Sequence, residues 1–358
     1  MNFVSDNAAG VAPEIMDAIA AANGGTAPSY GRDDRTEGAH CRLAEVFEHE
    51  VAAALVTTGS AANGLALAML APPYGAVLAQ EAAHVQMDEC GAPEFFTGGA
   101  KLVPLATDGG KVTEAALRRA LANYPSDAPE TVHRVRPSCL SLSQPTEYGA
   151  VYSLAELESL CGLAHEAGLS VHLDGARFAN ALVTLGCSPA EASWNLGVDA
   201  LSLGLTKNGC MAAEAVVLFD ARRTRELAWR VKRAGQLLSK GRFLGAQVEA
   251  ALQDGLWLSL ASRANASAVR LATGLADVPG VEIVAPVESN AVFAVFPERI
   301  ERRLREAGVG FLSWKYPGDR WDGRLRRLMT SFRTREEDIE RLLALAGGAA
   351  TTNRVVQG

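Results

Sequence analysis

Seven short apolar runs punctuate the first two-thirds of the chain, at residues 54–57, 76–79, 101–105, 139–142, 169–173, 200–203 and 215–219. Most are separated by stretches in which apolar residues recur with helical period, and this alternation predicts an α/β domain with a mostly parallel sheet covered by helices on both faces. Residues 13–23 read as an amphipathic helix opened by a proline, with Ile15, Met16, Ile19 and Ala20 on one face. Ser153 and Glu156 form a capping box, and Gly168 stands where that helix would stop, so residues 153–173 read as a helix followed by a strand. From about Gly245 the pattern changes to long helical stretches, one strong strand at 291–296 and a closing helix opened by Thr334 and Glu337. The expected organisation is therefore a large domain over 1–245, a smaller α+β domain over 246–348, and a disordered polar tail at 349–358.

Composition narrows the class of partner. At 358 residues, 48% apolar and 21% charged, the chain can bury a sizeable core. A formal charge of −7 argues against a surface that tracks a phosphate backbone, so nucleic acid is not an expected partner. No apolar run approaches the roughly 20 residues that span a bilayer. The first residues carry no basic-then-apolar leader, which points to the cytoplasm. Six cysteines occur without a C-x-x-C pair, a pattern of reduced, mostly buried thiols, and no metal site is predicted.

Ligand sites in open parallel sheets lie at the carboxyl ends of strands. After the 169–173 strand comes Asp174-Gly175-Ala176-Arg177; after the 200–203 strand comes Gly204-Leu205-Thr206-Lys207-Asn208-Gly209. A pyridoxal-5′-phosphate (PLP) site needs a carboxylate that keeps the pyridine nitrogen protonated and a lysine that holds the aldehyde as a Schiff base. Asp174 and Lys207 are the right residue types in the right places. The turn Thr57-Thr58-Gly59-Ser60-Ala61-Ala62-Asn63 lies between a strand and a helix, and Gly59, Ser60 and Ala61 offer backbone N–H groups for a phosphate. Taken alone, a small-residue turn usually just packs a strand on a helix, and a strand-end aspartate is usually a cap. The three pieces in this order are far more specific.

Together with Ser5-Asp6-Asn7, Ser29-Tyr30-Gly31, Ala83-His84, Asp88-Glu89-Cys90-Gly91-Ala92, His172-Leu173-Asp174 and Arg327-Leu328-Met329-Thr330, these stretches resemble the fold-type I PLP enzymes. Within them, the resemblance is to the threonine aldolase and β-eliminating lyase family, and it runs in family order from residue 5 to about 345. It implies a PLP-dependent transferase fold and retro-aldol cleavage of L-β-hydroxy-α-amino acids to glycine and an aldehyde. By the same resemblance His84 stacks on the cofactor ring and takes the β-hydroxyl proton, and His133 is a second histidine near that hydroxyl. Arg177, which also borders the cofactor, and Arg327 grip the substrate carboxylate, with Ser5 adding a hydrogen bond. Arg327 is chosen over Arg324 and Arg326 by its Arg-x-x-Thr spacing. Tyr30 and one or two residues of the basic stretch Lys232, Arg233, Lys240 and Arg242 are implied to serve a neighbouring subunit's site, the stretch being otherwise a solvated helix face; shared sites imply a homodimer or homotetramer.

Retro-aldol cleavage, β-elimination, racemisation and transamination share most of this machinery, so substrate positioning decides among them. The alternatives are a β-eliminating lyase and, from another class, a non-catalytic binding protein on the same fold. The loop Ser143-Gln144-Pro145-Thr146-Glu147-Tyr148-Gly149 matches only a subgroup of the family, which leaves the preferred side chain and the configuration at the β-carbon open.

Overall fold

In the computed structural model, residues 1–124, 132–315, 321 and 323–348 are described. The tail expected at 349–358 lies outside them. All seven runs seen in the sequence are strands: β1 (Ala52–Val56), β2 (Gly75–Gln80), β3 (Lys101–Leu105), β4 (Arg136–Ser143), β5 (Ser170–Gly175), β6 (Ala200–Gly204) and β7 (Glu214–Leu218). They form one sheet in the order β1-β7-β6-β5-β4-β2-β3, parallel except that β7 runs against both of its neighbours. Every residue of β2, β6 and β7 is buried, which is why these strands read as unbroken apolar runs. Register sets the site: Ser143 of β4 lies beside Asp174 of β5, and Asp174 beside Ser202 of β6. Three polar side chains thus stand in a row across the carboxyl ends of three adjacent strands.

The end of β6 is held close to β5. A Cβ added at Gly204 would lie 2.5–2.7 Å from the Ala176 backbone, too near for any side chain. Gly204→Ala is therefore expected to destabilise the protein by about 1–3 kcal/mol, read as a lower midpoint in thermal or urea unfolding; an unchanged midpoint would show that this contact relaxes freely.

A second, antiparallel sheet of β8 (Glu282–Ile283), β9 (Ala291–Val295), β10 (Leu312–Ser313) and β11 (Leu325–Met329), ordered β10-β11-β9-β8, packs with the helices Leu256–Ala276, Glu298–Glu306 and Glu336–Gly347. Only β9 was legible in the sequence. In β11 the adjacent Arg326 and Arg327 break the apolar alternation, and β8 and β10 are two residues long. The chain start belongs to this layer: Phe3 is buried among Val292, Leu328 and Phe311 and bonds through its backbone to Gly310 and Met329. That anchor delivers Ser5 and Asp6 to the large sheet.

The capping box forms as expected, with the Glu156 N–H donating to Ser153 Oγ and the Ser153 N–H to Glu156 Oε2, and Gly168 has φ 75°. Two local expectations are corrected. In the helix Pro13–Ala22 only Ile15 of the four named residues is fully buried; Met16 is 42% exposed and Ala20 faces out, because the contact with the core is narrower than the apolar stripe. The closing helix starts at Glu336 after Arg335, and Thr334 does not cap it; its hydroxyl instead accepts the Ser331 N–H. The six cysteines are free thiols, three of them buried. No helix among the described residues is long and apolar enough to cross a membrane.

Candidate active site

The carboxyl ends of β4, β5 and β6, the segments after β1 and β2, and the edge of the smaller sheet enclose a cavity of about 560 Å³. Ser5, Gly59, Ser60, His84, Asp174, Arg177, Lys207 and Arg327 all line it, so residues scattered over 323 positions converge on one space.

At the β1 edge, the helix Gly59–Leu70 opens with Thr58, whose Oγ1 accepts the Ala61 N–H at 3.2 Å. Ala61 was expected in the phosphate cradle, but its N–H is taken and its methyl is buried. Gly59 and Ser60 remain as first-turn donors without helical partners.

Asp174 is buried, and its carboxylate accepts the Ala176 N–H at 3.0 Å and the Asn63 amide at 2.8 Å. The same Asn63 amide nitrogen donates to Glu89 at 2.7 Å, and Glu89 Oε1 also meets His84 Nδ1 at 2.7 Å. The hydrogen bond to Glu89 holds the His84 pKa above the ordinary imidazole value against the opposing effect of burial. Burial pushes the Glu89 carboxyl up. The His84 backbone N–H donates to Glu147, another buried carboxyl raised by burial, which also accepts the Ser143 hydroxyl at 2.8 Å.

Lys207 sits in the short turn Thr206–Asn208. Glu214 holds the start of that turn through the Leu205 N–H at 2.7 Å, and Asn208 fixes its end through the Trp257 carbonyl. The charge of Arg177, followed by burial, lowers the Lys207 pKa, so its amine loses a proton more readily than an ordinary lysine.

The two arginines differ. Arg177 gives a two-pronged bond to Asp6, Nε at 2.6 Å and Nη2 at 2.9 Å, and Asn290 donates to the same carboxylate. Burial alone would raise the Asp6 pKa, but Arg177 outweighs it and keeps the carboxyl below its usual range. Arg327 stacks its guanidinium 3.9 Å from the Trp314 ring centroid, and its buried Nε has no partner among the described residues. Burial and the charge of Arg177 bring its pKa down to about 10. Its neighbours are otherwise engaged, Arg326 with Glu301 at 2.8 Å and Arg324 with the Trp321 carbonyl.

Two expected residues lie elsewhere. His133 is exposed, before the amino end of β4, whereas the cavity opens at the carboxyl end. A strand of that length puts roughly 20 Å between the two ends, so the structure does not bring His133 to its own chain's cavity. Tyr30 is 48% exposed outside that cavity, in the left-handed region at φ 62°, with Lys232 Nζ 5.4 Å from its ring centre. Asp6, Asn63 and Glu89 carried no expected role, although each lies inside a quoted stretch, and Trp314 and Glu214 had no local signal.

Comparison with known proteins decides the family. A family model described as "Beta-eliminating lyase" matches residues 2–299. The chain belongs to the β-eliminating lyase family. It is 42% identical over 344 residues to a low specificity L-threonine aldolase of Pseudomonas aeruginosa, covering 96% of this chain and 95% of that one. It is 40% identical over 342 residues to the enzyme of the same name from another Pseudomonas strain, covering 96% of each. A solved threonine aldolase from Leishmania major superposes with a TM-score of 0.88 at 28% identity, over 96% of this chain and 98% of that one. The β-eliminating lyase chain thus has the fold-type I architecture expected from its sequence.

Proposed function

We propose that this protein is a PLP-dependent aldehyde-lyase that cleaves L-β-hydroxy-α-amino acids, threonine and phenylserine-like substrates among them, to glycine and an aldehyde. The observation that carries this reading is the convergence of Lys207, Asp174, His84 and Arg327 on one cavity, in a chain about 40% identical along nearly its whole length to low specificity L-threonine aldolases. The residues fit the cofactor: a buried carboxylate suits the ring nitrogen, a lysine of lowered pKa the aldehyde, and free first-turn N–H groups the phosphate. When bound, PLP supplies the sink for the electron pair left on Cα as the Cα–Cβ bond breaks.

The chain's own groups bind and move protons. Arg327 grips the substrate carboxylate, and Arg177, oriented by Asp6, adds positive charge beside it with Ser5 at hand. His84 takes the β-hydroxyl proton at Nε2, the nitrogen not engaged by Glu89. Lys207, its amine of lowered pKa lining the cavity, would hold the cofactor's aldehyde. A base must start neutral, and the His84 pKa is raised, so turnover should fall as pH drops through a value above the ordinary imidazole midpoint. His84→Asn is expected to lower kcat/KM by about 10²-fold and to remove that acid limb from the pH profile; a variant with an intact limb would assign the base elsewhere.

The 1–245 and 246–348 segments serve as the cofactor-binding and smaller domains of this proposal with both limits moved: the helix Arg242–Leu252 runs through residue 245 and packs Val248, Ala251 and Leu252 into the large core, while Phe3 packs with the smaller sheet. Tyr30 and the 232–242 stretch, adjacent in the structure, serve a neighbouring subunit in a homodimer or homotetramer. The deciding assay mixes the purified protein and PLP with L-threonine or DL-phenylserine. Equal amounts of glycine and aldehyde are expected. Pyruvate and ammonia would make the reaction β-elimination, and no PLP-dependent product would remove the enzyme reading.

A further inference from the structure

Glu89 follows the short helix His84–Met87, and its side chain is completely buried beneath the imidazole. A buried carboxylate is costly unless its oxygens are used. Here one oxygen accepts both from His84 Nδ1 and from the Asn63 amide, and the second hydrogen of that amide goes to Asp174. A ring nitrogen of His84 and one carboxylate oxygen each of Glu89 and Asp174 lie within 4.8 Å of one another. The result is one continuous chain, imidazole to carboxylate to amide to carboxylate, from the wall of the cavity to the end of β5.

We propose that Glu89, through Asn63, is a positioning residue that fixes the tautomer and basicity of His84 and ties them to the charge state of Asp174. This rests on the assignment of His84 as the base. A carboxylate on Nδ1 keeps the proton on that nitrogen and leaves Nε2 as the lone pair facing the cavity, while making the ring a stronger base. The other groups facing the imidazole are Asp174 at the end of β5, Lys207 after β6, and Glu147 from the loop after β4, which holds the His84 backbone N–H. Lys207 disfavours a charged imidazole and Asp174 favours one, but only Glu89 touches the ring through a hydrogen bond. Asn63 lets the two carboxylates share one donor, so a change of charge on Asp174 alters how firmly Asn63 holds Glu89.

The test reads the imidazole directly. In isotope-labelled protein, with and without added PLP, the His84 ring signals are assigned by their loss in His84→Asn and titrated. Glu89→Gln is expected to lower the midpoint by about one pH unit and to redistribute the tautomer. The acid limb of kcat/KM should move the same way, with little change in KM. Glu89→Asp, which keeps the charge on a shorter arm, should fall between, and Asp174→Asn should lower the midpoint without touching the ring. Imidazole titrations unchanged in both Glu89 variants would overturn the proposal, whatever their effect on stability. A shifted titration with an unshifted kinetic limb would preserve the Glu89–His84 pairing and remove His84 as the base, which separates failure of this inference from failure of the assignment beneath it.

Discussion

Lys207→Ala should abolish the visible absorption band of the PLP-loaded protein and lower kcat for threonine or phenylserine cleavage by at least about four orders of magnitude. The size follows from what the amine does. In the proposed reaction it is the nucleophile that would hold the cofactor's aldehyde, and no other lysine among the described residues lines the cavity. The surroundings prepare it: the Arg177 charge and burial lower its pKa, so a larger fraction is neutral and nucleophilic at a given pH than for a lysine in water. Folding should survive. Glu214 and Asn208 hold the turn through neighbouring groups, and deleting the ammonium relieves its repulsion with Arg177, so the unfolding midpoint should stay within about 1 kcal/mol of wild type. The measurement is a spectrum, a turnover assay and a melt on the same preparation. Retained turnover in a folded Lys207→Ala protein would dismiss the lysine's role and with it the PLP chemistry.

The parts of this site that were legible in the sequence share one property: local pattern places them. A strand run ending in Asp174 or leading to Lys207 gives the residue and its position at the carboxyl end of a parallel sheet together, because strand period and sheet topology need only a few neighbouring residues. Gly59 and Ser60 were legible for the same reason. What escaped depends on register or on distant segments. The row Ser143–Asp174–Ser202 exists only once β4, β5 and β6 align. Asp6 reaches Arg177 because Phe3 is pinned against the smaller sheet, some 300 residues away in the chain. The Ala61 N–H donates to the Thr58 hydroxyl, a cap at the helix start that the turn's small residues alone did not reveal. His133 was placed by likeness in a stretch with little pattern of its own, and β4 carries it to the wrong end of the strand for its own chain's cavity.

The pairing of Asp6 with Arg177 changes which arginine matters most for the substrate. An arginine already bonded through Nε and Nη2 to a buried carboxylate has spent those two donors, and what it offers a substrate is chiefly its charge. Arg327 has no such hydrogen-bonded counterion among the described residues; its partnerless Nε and lowered pKa make it the group that gains most from a ligand carboxylate. Arg327→Leu is therefore expected to lower kcat/KM by about 10²- to 10³-fold, mainly through KM, because the carboxylate is held alike before and during bond cleavage. Its unfolding midpoint should not drop, since an uncompensated half-buried cation is lost. Arg326→Leu makes the opposite pattern: it breaks the bonds to Glu301 and the Gly323 carbonyl, so stability falls while KM stays near wild type. Steady-state kinetics and melts of the two variants side by side decide the assignment. If Arg326→Leu raised KM and Arg327→Leu did not, the carboxylate would be gripped from the other face of β11, and the substrate would have to lie differently in the cavity.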